Sequence, residues 1–171
     1  MTQKKRSLEK KKIDNLVQKL ELQPHPEGGF FKETYRSELI VEPKSFNAKR
    51  NVSTAIYFLL TAENFSAFHK IKSDELWHFY QGDPLEVIIL EEDKVQTIKL
   101  GSNLEKGETF QAVVSAGSWF ASRVTKGGKY SLVGCTVAPG FDFEDFELAQ
   151  RVELIKSYPE HSDLITEMTR S

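Results

Sequence analysis

The sequence of 171 residues predicts a mainly β fold, a sandwich or barrel of short strands with helices at both ends. Two observations lead there. Between residues 52 and 137, β-branched and aromatic runs succeed one another, separated by tight turns and with no helical pattern between them. The 12 phenylalanines weight the composition toward residues that suit strands and apolar cavities.

From Ser7 the apolar residues Ile13, Leu16, Val17 and Leu20 take helical spacing, which predicts a helix over 7–22 stopped by Pro24 and Pro26. The run PHPEGGFF then makes a turn, with Gly28-Gly29 free to take positive φ, before a strand over 30–36. Residues 38–51 are polar, contain Pro43 and read as a surface loop. Strands are expected over 52–60, 64–72, 76–80, 85–90, 95–100, 109–114, 119–125 and 130–137, with turns at 81–84, 91–93 and 126–128. Phe146, Ala149, Val152 and Ile155 predict a helix over 145–156, its acidic start Asp142, Glu144, Asp145 and Glu147 favoured by the helix dipole. Pro159 opens a second short helix through Met168. Residues 1–20 form a tail and helix, and 21–171 a single domain.

With 39% hydrophobic residues the chain is globular, and a net charge of −2 gives no global field for nucleic acid or an acidic membrane. The single cysteine, Cys135, lies in an apolar strand-like run and reads as a buried thiol. The basic run Lys4, Lys5, Arg6, Lys10, Lys11, Lys12 reads as a frayed solvated tail. No apolar leader or spanning stretch is present, so a reducing, cytoplasmic setting is the default expectation. Phosphate loops, CxxC, HExxH and nucleophile elbows do not occur.

Chemistry concentrates in FHKIKSDELWHFYQG, residues 68–82. Period-two alternation puts Phe65, Ala67, His69 and Ile71 on one face of their strand, and Glu75, Trp77 and Phe79 on one face of the next. A hairpin turn near Lys72-Ser73-Asp74 would bring His69 and Glu75 together. A carboxylate beside an imidazole orients it and raises its proton affinity, as general-base chemistry requires. By the same parity His78 points away from this face.

The spacing of His69, Ile71, Glu75 and Gly82 resembles the first motif of the cupin superfamily, with isoleucine in place of a second histidine. Ser115-Ala116-Gly117-Ser118-Trp119-Phe120 resembles the second, with phenylalanine in place of its histidine. Five blocks in order, PHPEGGFFKETYRS, STAIYFLL, SDELWHFYQGDPLEV, SAGSWFASRV and GCTVAPGFDFEDFELA, are similar to one branch, the fifth-numbered cupin family, a former domain of unknown function. The resemblance implies a cupin-type jelly-roll β-barrel of the kind used by dTDP-sugar epimerases, and a homodimer.

With Ile71 and Phe120 at two aligned ligand positions, no tightly held metal and no cofactor is expected. The implied ligand is a nucleotide, a nucleotide-sugar or a related small polar metabolite. The implied base is His69, oriented by Glu75, in a cup lined by Trp77, Phe79, Phe120 and Phe65. Tyr57, Tyr35 and Tyr130 are candidate acids. Arg123, with Ser115 and Ser122 beside it, either clamps a phosphate or carboxylate or pairs with an acidic neighbour. A metal-independent epimerase or isomerase and a non-enzymatic binding module with Trp77 as stacking platform both remain open. His25 and His161 carry no assigned role. Glu27-Gly28-Gly29 reads as a plain turn, and Phe141 and Phe143 as a flap.

Overall fold

A computed structural model describes residues 3–46, 48–92 and 94–170. In chain order the strands are β1 (Gln23–Pro24), β2 (Phe30–Arg36), β3 (Ile40–Val41), β4 (Arg50–Asn51), β5 (Thr54–Thr61), β6 (Phe65–Lys70) and β7 (Asp74–Gly82). Then follow β8 (Leu85–Leu90), β9 (Val95–Leu100), β10 (Gln111–Val114), β11 (Trp119–Val124), β12 (Tyr130–Ala138) and β13 (Glu147–Leu148). The α-helices are α1 (Gln3–Lys19), α2 (Arg151–Ser157) and α3 (Ser162–Glu167).

The strands form a six-stranded sheet, β1-β2-β5-β12-β7-β10, and a five-stranded sheet, β13-β6-β11-β8-β9. From β5 to β12 the chain repeatedly crosses between the two sheets, the jelly-roll expectation, here as an open two-sheet sandwich. Alternation explains which residue goes where. Phe58 and Leu60, Val87 and Ile89, Phe120 and Val124 point inward to one core with Trp77 and Cys135. The residues between them point outward. Ile88, Leu90 and Ala121 pack under the C-terminal helices with Leu154 and Ile165, and Leu59 and Leu132 pack under α1 with Ile13 and Leu16. The helices therefore cover part of each outer face of the sandwich.

Most expected strands stand within two residues of their predicted ends, and those over 30–36, 85–90 and 95–100 coincide. The first helix runs from Gln3 to Lys19, not 7–22. Lys4, Lys5 and Arg6, expected in a tail, lie in this helix, and their side chains fall outside the described residues, as does Asp93 of the 91–93 turn. The 38–51 loop contains the small antiparallel pair β3-β4.

The larger difference is at 142–150. No helix starts there. A single 3-10 turn, Phe143–Asp145, leads into β13, which pairs with the edge of β6, and α2 starts at Arg151. Unpaired edge groups of β6 reward an extended strand, Ala149 N–H donating to Phe68 C=O at 2.9 Å. The acidic residues are accordingly not a helix start: Asp145 is buried against Arg50, and Glu147 pairs with Lys70 at 3.0 Å.

Candidate active site

One mouth of the sandwich opens into a cavity of about 230 Å³. Its walls come from both sheets and from two segments outside them, one expected as a plain turn and the other as a flap leading into a helix. From the five-stranded side come His69 and Ile71, and from the six-stranded side Phe31, Glu33, Arg36, Ile56, Glu75 and Cys135. The turn before β2 adds His25 and Glu27, and the segment after β12 adds Phe141, Asp142 and Phe143 as a roof.

The turn at 25–29 places the residue that matters most. Gly28 has φ +119° and lies so close to β6 that a Cβ there would strike the Phe65 carbonyl. This approach lets Ala67 N–H donate to Glu27 C=O at 2.9 Å and swings the Glu27 side chain inward. Glu27 Oε2 then sits 3.0 Å from His69 Nε2, with both side chains buried. The other ring nitrogen, His69 Nδ1, is 2.7 Å from the Ala67 carbonyl. A carbonyl only accepts, so Nδ1 carries a proton and a single mobile proton lies between Nε2 and Glu27. Phe120, fully buried, packs its ring 4.1 Å from the imidazole and Phe146 lies 5.4 Å away, fixing its plane.

The expected His69–Glu75 contact is therefore replaced by His69–Glu27. The reason is topological: β6 and β7 belong to different sheets, so the 71–74 connection is a crossing between sheets and not a hairpin. Glu75 faces the same cavity from the opposite wall and makes no ion pair with His69 within 4.0 Å.

Burial governs the electrostatics. It pushes the Glu27 carboxyl up to about 8, partly opposed by the Ser66 hydroxyl. It pushes Glu75 up to about 7, the His69 imidazole opposing and the Glu27 charge adding to the rise. His25 falls to about 4 by burial and then by proximity to His69. Its Nδ1 accepts the Glu27 backbone N–H at 3.3 Å, which suits a neutral ring. His69 is lowered by burial, against the pull of Glu75 and the Ala67 carbonyl. Burial, then Glu75 and Glu27, raises the Cys135 thiol well above its ordinary range, so it is no nucleophile at neutral pH.

Of the residues picked out by pattern, His69, Ile71, Glu75 and the flap residues Phe141 and Phe143 line the cavity, and the other expected ligand and acid residues do not. Trp77 is 1% exposed, edge-on to Phe58 and Phe120 in the core, and a packed indole offers no face to a ligand. Phe79 packs against the same core and Phe120 supports His69 from behind. Phe65 turns to the outer face because β6 carries an extra residue between Ser66 and His69, which breaks the alternation. Arg123 pairs with Glu86 and Glu167, each at 2.8 Å, away from the mouth. Ser115 lies exposed in the turn before β11. Tyr57 packs toward Tyr80 on the outer face, Tyr35 is exposed, and Tyr130 lies beneath α1, so no candidate tyrosine reaches the cavity. His25 and Glu27, without a role in the sequence pattern, line it. The one available signal was a histidine and a glutamate two apart before a Gly-Gly turn.

The cupin motifs place metal ligands at positions held here by His69, Ile71, Glu75 and Phe120. The hydrocarbon side chains of Ile71 and Phe120 carry no donor atom, so these positions do not fit a metal ion. Among the described residues no group of three His, Cys, Asp or Glu side chains is arranged to hold one. No helix among them is long and apolar enough to cross a membrane.

The chain is similar to an uncharacterized protein of Saccharomyces cerevisiae, YML079W, at 34% identity over 146 residues, 78% of this chain and 73% of that one. It is similar to a solved hypothetical protein from Leishmania major, with 35% identity, a TM-score of 0.87 and coverage of 92% of this chain and 98% of the other. Protein SO0799 from Shewanella oneidensis shares 38% identity at a TM-score of 0.84, over 92% of this chain and 96% of its own. The profile of the Cupin superfamily (DUF985) matches residues 14–149. With its sandwich, its inward His69 and most of its length matched, the chain belongs to that family of cupins.

Proposed function

We propose that the protein is a small-molecule-binding cupin whose cavity performs metal-independent proton transfer of the epimerase or isomerase type on a polar metabolite. The observation that carries this reading is the His69–Glu27 pair on one wall with Glu75 on the facing wall. Inverting a carbon next to a carbonyl needs a base on one face and an acid on the other. The His69–Glu27 pair, in its proton-poor form, takes the C–H proton while the bond's electrons move onto the carbonyl oxygen. Glu75, whose carboxyl burial pushes up to about 7, returns a proton to carbon from the opposite side in its protonated form. The acid role expected of a tyrosine thus passes to a carboxyl group.

A cavity of about 230 Å³ admits a monosaccharide-sized reacting part. In a nucleotide-sugar the nucleotide would lie outside the mouth. The binding-module alternative rested on Trp77 and Arg123, and neither lines the cavity.

The test is solvent exchange. Small keto-sugars and related carbonyl compounds incubated in D2O with the protein should gain deuterium next to the carbonyl. His69→Asn should slow this about 10²- to 10⁴-fold, with binding of the same compound little changed. No exchange with any compound of the panel, or equal exchange by the variant, sinks the proposal.

We also propose a homodimer formed through the outer face of the six-stranded sheet. There Leu76, Tyr80 and Val113 are 36%, 51% and 52% exposed beside the edge strand β10. Light scattering should give twice the chain mass, and Tyr80→Glu with Val113→Lys should give monomer. A monomeric wild type removes this part.

A further inference from the structure

Glu75 is 8% exposed, faces the cavity and takes part in no ion pair among the described residues. Its polar neighbours are the His69 imidazole, the Glu27 carboxyl, the Cys135 thiol and the Trp77 indole, and His69 is already paired with Glu27. Arg36, the single guanidinium of the lining, is already paired with Glu33 and also donates to the Phe141 carbonyl at 3.1 Å. Its Nε and Nη2 donate to both oxygens of Glu33 at 2.9 and 2.7 Å, and its Nη1 donates to Asn51 at 2.8 Å. An anion entering the cavity meets no unengaged cation, while a cation meets a buried carboxyl. The second observation is aromatic. Phe31, Phe141 and Phe143 line the same space, and Phe143 is 55% exposed at the mouth. Carboxyl groups with aromatic faces are the combination that recognises organic ammonium ions.

We infer that the cavity selects a small metabolite bearing an ammonium group, its charge set against Glu75 and its hydrocarbon face against Phe31, Phe141 and Phe143. The inference rests on the cavity being the ligand site. An ammonium beside Glu75 favours the ionised carboxylate, so binding near pH 7 releases a proton to solvent, and toward such a ligand Glu75 is the binding group and not the acid that returns a proton to carbon.

The experiment uses the full chain and compounds that share a skeleton and differ in charge: glucosamine, glucose and glucuronate, with ethanolamine and ethylene glycol as a smaller pair. By calorimetry the amines should bind about tenfold or more tightly than their neutral or acidic counterparts. Their binding heat should change with the ionisation enthalpy of the buffer. Glu75→Gln, which keeps size and shape, should erase the preference. Phe143→Leu, at an exposed position with little influence on folding, should reduce it about two- to fivefold. Glucose or glucuronate binding as well as glucosamine, or an unchanged preference in Glu75→Gln, overturns the ammonium assignment and leaves the cavity reading standing. No binding by any of the five compounds overturns the assignment together with that reading.

Discussion

Replacing Arg50 by alanine is expected to destabilise the protein by about 3–5 kcal/mol, the cost of leaving a buried charge without its partner. The Arg50 and Asp145 side chains are 7% and 4% exposed. Arg50 Nε donates to Asp145 Oδ2 at 2.6 Å and Nη2 to Oδ1 at 3.0 Å, a two-pronged contact that holds the roof segment to β4. Burial raises the Asp145 carboxyl, but the hydrogen bonds from Arg50 and then Lys72 outweigh it and hold the group below its usual range. Lys72 remains in the variant at 3.1 Å, yet it is half exposed and replaces neither prong. The contact to Glu144 at 3.1 Å contributes little, because that side chain is 74% exposed. Urea unfolding measures the loss as a lower midpoint with an unchanged slope. The double variant Arg50→Met with Asp145→Leu removes both charges and should recover most of it. A loss below about 1 kcal/mol in the single variant would mean that this pair does not fasten the roof.

The sandwich was legible because its strands obey a local rule. In β8 four consecutive apolar residues mark a strand buried on both faces, with Val87 and Ile89 facing one core and Ile88 and Leu90 another. The parity of β7 was legible in the same way, with Trp77 inside and Leu76 and Tyr80 outside. The site was half legible. His69 and Glu75 carry a motif spacing, but which carboxyl meets the imidazole depends on β6 and β7 falling in different sheets. That is a long-range fact with no local signal. Glu27 lies 42 positions before His69 in the chain, and only the close packing of Gly28 against Phe65 brings them together. Phe65 was misplaced by one extra residue in β6, which strict period two does not anticipate. The 142–150 segment had helical spacing and became a roof because the edge of β6 and the ring of His69 offered Ala149 and Phe146 more than a first helical turn would.

Glu27→Gln is expected to reshape the dependence of stability on pH. In the unfolded chain a glutamate loses its proton near 4.5, whereas the folded protein holds the Glu27 proton to about 8 and that of Glu75 to about 7. Over those windows the folded state binds more protons, so both groups lose their stabilising contribution as pH rises. His25 acts in the opposite sense. Its folded value of about 4 lies below the ordinary 6.5, so its contribution is present above 6.5 and is lost as pH falls toward 4, and His69 acts likewise. Between about 4.5 and 6.5 His25 offsets one carboxyl and His69 acts in the same sense, and above 6.5 only the carboxyls remain to pull stability down. Each proton of difference is worth about 1.4 kcal/mol per pH unit, so Glu27 accounts for about 2 kcal/mol between pH 6.5 and 8. Glutamine keeps the shape and a hydrogen bond to His69 Nε2 but cannot titrate. The variant should therefore gain on the wild type across that range and reach its highest melting temperature at a higher pH. Parallel wild-type and variant profiles from pH 5 to 8 would mean that Glu27 is ionised throughout. A carboxyl ionised throughout could not share a mobile proton with His69, and the proton-transfer chemistry proposed for this cavity would lose its donor–acceptor pair.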